Sequence, residues 1–178
     1  ANSTPDYENS LGIIIHSNVA VDARVSVDQL TIDSGYTLTI NSGQTLSVVN
    51  GTGADLTVQG DLTNNGSLSA AASTSVVFNG ANQNVPTGTV PDLTISGTGT
   101  KTMTGNLSVT GTLNVETTLN LNGNTLDLQT TGTLNETTGG VTGSSGTITA
   151  TRSLNAPSGE NVAGLGAQVS SSANLSST

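Results

Sequence analysis

Enzyme chemistry usually gathers around histidine, cysteine or paired carboxylates, and this chain holds few of them. His16 is the only histidine, and cysteine is absent. A Ser-His-Asp relay or a histidine-based zinc site would rest on His16 alone, and thiolate sites are excluded. His16 follows Ile13-Ile14-Ile15, so it reads as a surface or strand-capping residue. Sugar hydrolases need two carboxylates held at fixed separation across the bond. Here Asp22, Asp28, Asp33, Asp55, Asp61, Asp92, Asp127, Glu116 and Glu136 are scattered, with no Asp-Asp or Asp-x-Asp pair. Asp22, Asp28 and Asp33 fall near turns, whose carbonyls make good calcium ligands, but the GGxGxD calcium repeat is missing. They read as solvated turn acids. No catalytic, cofactor-binding or metal-ligating residue is assigned, and the chain is expected to be non-enzymatic and cofactor-free.

Binding classes narrow in the same way. Net charge is −9, with Arg24, Lys101 and Arg152 as the only basic side chains. Three cations cannot neutralise a run of phosphates, so nucleic acid is not an expected partner. No apolar stretch approaches the roughly 18 residues of a spanning helix, so no membrane insertion is expected. Aromatics are 2% of residues with no tryptophan, which disfavours a stacking platform for sugars. Ice binding would need threonine at both outward positions of many stacked strands. The outward pairs instead read Thr37/Thr39, Thr45/Ser47, Asp55/Thr57, Asp61/Thr63 and Ser67/Ser69, then Thr112/Asn114, Thr118/Asn120 and Thr125/Asp127. A carbohydrate- or ice-binding module is therefore the alternative to a structural role.

The elements that carry these residues are legible in one recurring phrase. An aliphatic, a polar residue and an aliphatic alternate, then a turn follows: Leu30-Thr31-Ile32, Leu38-Thr39-Ile40, Leu46-Ser47-Val48, Leu56-Thr57-Val58, and later Leu93-Thr94-Ile95, Leu107-Ser108-Val109 and Leu113-Asn114-Val115. Period-two alternation is the pattern of a strand with one buried face. Strands this short cannot bury their leucines alone and must stack on copies of themselves. Ser34-Gly35, Ser42-Gly43, Asn50-Gly51, Asn65-Gly66 and Asn122-Gly123 mark the corners. The expected fold is all-β, a right-handed parallel β-solenoid with about three short strands per coil and six or seven coils. Hydrophobic content of 33% suits it, because such a core is one side chain deep.

The expected organisation has a polar leader or docking segment at 1–12, a solenoid over 13–155, and a tail at 156–178. The tail reads as the start of a following module or an inter-subunit segment. Residues 79–92 contain Pro86 and Pro91 and lack the phrase, so they are expected to form a loop. Residues 137–146, rich in Gly, Ser and Thr, are expected to form another. Leu38, Ile40, Leu56, Val58, Leu113, Val115, Leu119 and Leu121 should point inward, and Thr39, Thr57, Asn114 and Asn120 outward.

The stretches IIIHSNVAVDARVSVDQLTIDSGYTLTINSGQTLSVVNG and DLTVQGDLTNNGSLS resemble the β-helical repeat region of very large secreted surface proteins of Bacteroidetes-type bacteria. Residues 78–115 look like a linker motif of the same proteins, and VAGLGAQVSSSANLSST resembles the opening of a module that follows them. GDLTNNGSLS is also similar to filamentous-haemagglutinin-type adhesin helices. The resemblance implies export, a cell-surface location and a role as stalk, adhesin or filament. It supplies no catalytic residues. Self-association or contact with neighbouring modules through the solenoid ends is the expected partnership, with surface glycans as a further one. With numbering that starts at Ala1, the chain is expected to be a mature exported one.

Overall fold

The computed structural model describes residues 12–129, 132–143, 145–150 and 168–169. These are all strand, turn and bend, with no helix among them. Seven coils stack along one axis, each contributing a strand to three successive faces. Coil 1 comprises Ile13–Ile15, Val19–Val21 and Val25–Val27, and coil 2 Leu30–Ile32, Thr37–Ile40 and Thr45–Val48. Coil 3 comprises Leu56–Val58, Asp61–Asn64 and Ser67–Ala70, and coil 4 Ser75–Phe78, Gln83–Val85 and Gly88–Val90. Coil 5 comprises Asp92–Ile95, Thr100–Met103 and Leu107–Val109, and coil 6 Thr112–Val115, Thr118–Asn120 and Thr125–Asp127. Coil 7 comprises Thr133–Glu136, Val141–Thr142 and Thr147–Ala150, and Gln168–Val169 pairs beyond it on the third face. All pairing is parallel, so the architecture is the expected β-solenoid. At about 4.8 Å per coil the stack is roughly 30 Å long.

In-register stacking turns the repeated phrase into columns. On the first face Leu30, Leu56, Val76, Leu93, Leu113 and Leu134 line up, with Ile32, Val58, Phe78, Ile95 and Val115 beside them. These side chains are buried, as are Leu38, Ile40, Leu119 and Leu121 on the second face and its adjoining corner. Thr39, Thr57, Asn114 and Asn120 alternate with them and are part-exposed on the outer surface. The core is therefore a single aliphatic column running inside three ladders. Each buried leucine removes about 2 kcal/mol of apolar surface from water.

The corners use a second device. The side-chain oxygen of an Asn or Asp in one coil accepts the backbone N–H of a Ser or Thr that opens a strand in the next. Asn18 does this for Thr37 at 2.9 Å, Asp55 for Ser75 at 2.7 Å and Asn82 for Thr100 at 2.8 Å. Asp92 does it for Thr112 at 2.6 Å and Asn106 for Thr125 at 2.9 Å. The ladder donors that a turn would leave orphaned are satisfied this way.

Both expected loops carry strands of the solenoid. Residues 79–92 supply the second and third strands of coil 4. Pro86 and Pro91 lie in the corners between strands, where no ladder N–H is required. Residues 137–146 contain the strand Val141–Thr142 of coil 7. The expected leader at 1–12 and tail at 156–178 lie outside the described residues, apart from Gly12 and Gln168–Val169.

Candidate functional site

Of the residues singled out for chemistry, the fold brings His16 and Asp33 together. His16 is exposed at the end of the first strand, with Nδ1 2.9 Å from Asp33 Oδ2 and its ring edge-on to Tyr36. Among the described residues no three of His, Cys, Asp and Glu gather into a group that could hold a metal. Asp55, read as an outward residue, is instead fully buried. Its Oδ1 accepts from Gly51 N and its Oδ2 from Ser75 N, each at 2.7 Å, so two backbone donors account for a carboxylate inside the corner. The threonine faces are mixed: Thr37/Thr39 stack on Asp61/Thr63, and Thr100/Thr102 stack on Thr118/Asn120.

Lys101 occupies an inward position on the second face, between Gln83 below and Leu119 above, and is 0% exposed. Its Nζ donates to the carbonyls of Gly80 at 3.0 Å, Ala81 at 2.7 Å and Thr98 at 2.9 Å. Three donors meet three acceptors, which is how an ammonium with no ion-pair partner among the described residues is held inside. Burial lowers its pKa from the ordinary lysine value, because the charged form loses water. Gln83 does related work one coil earlier: its Nε2 donates to Val58 O and Gly60 O, and its Oε1 accepts from Gly80 N. The sequence signal for both was the Gln-x-Val and Lys-x-Met alternation, in which a polar residue takes the place of leucine.

Between coils 3 and 4 the stack loosens. The second-face ladder is interrupted there: the sheet through Asp61–Asn64 ends, and a new one begins at Gln83–Val85. The third-face ladder narrows to the single register pair Thr89 with Ser69. Gly88 is the register partner of Leu107, and it and the buried Phe78 of the same coil line one small cavity. A void of only about 10 Å³ remains there. Outside, the seam opens into a groove of about 580 Å³ running over coils 3 to 6. Asn64 and Ser67 form one wall, Thr125 and Asp127 the other, with Thr87, Gly88 and Thr89 between them. Asn64 Nδ2 bridges the seam to Thr87 O at 3.1 Å, while its Oδ1 is buried without a partner among the described residues.

At the N-terminal end of the described stack, the inward residues Val19 and Val25 are 38% and 39% exposed, because no described coil lies beneath them. With Ile13, Val21 and Leu30 they line an apolar recess of about 370 Å³. No protein-family model, curated protein or solved structure matches the chain.

Proposed function

We propose that this chain is a non-enzymatic, extracellular structural and adhesive protein, a rigid β-solenoid stalk or filament subunit of a bacterial cell-surface assembly. The observation that carries this reading is the open first coil. Its inward residues repeat the apolar pairs of the interior coils in register, yet no described coil covers Val19 and Val25. A surface of that shape is complemented by one more coil of the same kind, with its backbone groups extending the ladders. The occupant assigned to it is the terminal coil of a second solenoid unit. The first-face aliphatic columns, which run on through the seam between coils 3 and 4, and the inter-coil Asx bonds support the stiffness a stalk needs.

Electron microscopy of the purified chain over a concentration series tests this. Rods in multiples of the single-unit length are expected, and Val19→Asp should leave units single while preserving their strand signal in circular dichroism. Monodisperse single units at every concentration, with or without Val19→Asp, would remove the end-joining premise.

A further inference from the structure

The groove over coils 3 to 6 has the makings of a ligand site, and its chemistry can be read from its unused polar groups. Ser67, Thr89 and Thr125 present hydroxyls that bond no other described residue. Asn106 uses its Oδ1 on Thr125 N, and its Nδ2 stays available. Asp127 is the one charged side chain among the described residues of the lining, and it is already occupied. Its Oδ1 accepts from Gln129 N and Thr149 Oγ1, each at 3.0 Å, and its Oδ2 from Gln129 Nε2 at 2.5 Å. Among the described residues no lysine or arginine lines the groove, so none of them there attracts sulfate, phosphate or uronate.

The spacing matters as much as the chemistry. The groove crosses three coil-to-coil steps of about 4.8 Å, so its hydroxyl and amide groups recur along roughly 14 Å of the axis. That repeat is close to the rise of one pyranose ring in an extended glycan. A hydroxyl-rich chain laid along the axis would therefore meet a similar set of partners at each ring. The pale polarity of the lining favours a ligand that both donates and accepts without charge.

We propose that this groove is a binding site for two or three consecutive rings of a neutral, extended glycan. The proposal deepens the adhesive half of the proposed function and is independent of end-to-end joining. Without an aromatic stacking surface the affinity should be weak, with Kd on the order of 1 mM for a trisaccharide.

Saturation-transfer NMR on the full chain with cellotriose, maltotriose and mannotriose tests it. Signal from at least one of them is expected, unchanged between low and high salt. Thr89→Arg, an exposed outward substitution in the groove floor, should weaken binding at least tenfold. Thr39→Arg, outward on the second face, should not. Both variants keep the inward columns, and circular dichroism checks their fold. Absence of signal from all three probes, equal binding by Thr89→Arg, or salt-sensitive binding of an acidic oligosaccharide alone would each overturn the proposal. Such a failure, with Val19→Asp still blocking assembly, would leave the rod reading intact.

Discussion

Gln83 and Lys101 are register partners on the second face, one directly above the other at an inward position that aliphatic residues fill in other coils. Both turn nitrogen donors onto main-chain carbonyls at the corner where the first face meets the second. Val58 O and Gly80 O also accept main-chain N–H groups of the next coil, from Asn79 and Thr98, and the two side chains add donors to the carbonyls that turn through this corner.

Removing the ammonium should therefore be costly even when the volume is kept. Lys101→Met leaves the carbonyls of Ala81 and Thr98 without the donor they now have. A loss of about 1–3 kcal/mol is expected in urea unfolding, because stranded acceptors outweigh the relief of an uncharged stem. Stability no lower than that of the parent chain would show that the three bonds do not offset the buried charge.

The same lysine predicts a pH dependence. Its folded pKa lies below the unfolded value of 10.5. Between the two, the unfolded chain binds more protons than the folded one, so stability rises with pH across that window. Below the lowered folded value the full cost of the buried charge is present. The stability difference between parent and Lys101→Met should shift in favour of the parent as pH climbs toward 10.5. A flat difference would mean the ammonium titrates as if in water.

The assignment of faces is tested by neighbours on one strand. Leu119→Asp puts a carboxylate into the dry column and should cost more than about 4 kcal/mol or prevent folding. Asn120→Asp keeps an outward oxygen for Asn122 N and should change stability by about 0.5 kcal/mol or less. Thermal melts of the two variants give the comparison, and equal losses would refute the inward and outward assignment.

Asp55 provides a test of the corner device. In Asp55→Asn the shape is kept, but one of two accepting oxygens becomes an N–H₂ facing a backbone N–H. A loss of about 1–3 kcal/mol is expected from chemical denaturation. A neutral result would mean that Gly51 and Ser75 find other acceptors.

Two glycines should respond in opposite ways to one methyl group. A Cβ on Gly60 would collide with the Tyr36 and Asp33 carbonyls of the coil below, so Gly60→Ala should cost about 1–3 kcal/mol. A Cβ on Gly88 meets nothing within 4 Å, and its backbone is not left-handed. Gly88→Ala should be neutral or stabilise by up to about 1 kcal/mol through loss of unfolded-state freedom. Differential scanning calorimetry separates these outcomes, and destabilisation at Gly88 would show that the seam between coils 3 and 4 needs its bare backbone.

The period-two alternation determined the strand type, the buried face and the three-strand coil, because the pleat alone sets which side chains share a side. Leu38, Leu56 and Leu113 needed no more than that. Coil 4 was hidden because Gln83-Asn84-Val85 and Gly88-Thr89-Val90 each replace one expected aliphatic, and because two prolines suggested a loop. Whether a polar or missing side chain is tolerated inward depends on what lies across the core and in the next coil. A Cβ at Gly88 would meet nothing within 4 Å, and the carbonyls of Gly80, Ala81 and Thr98 receive Lys101. Those partners stand up to a coil away in sequence, and pairing over such distances is set by stacking register. The groove has the same origin. It exists because one ladder breaks and another narrows at a single seam, a property of how coils 3 and 4 meet that no local pattern in either one records.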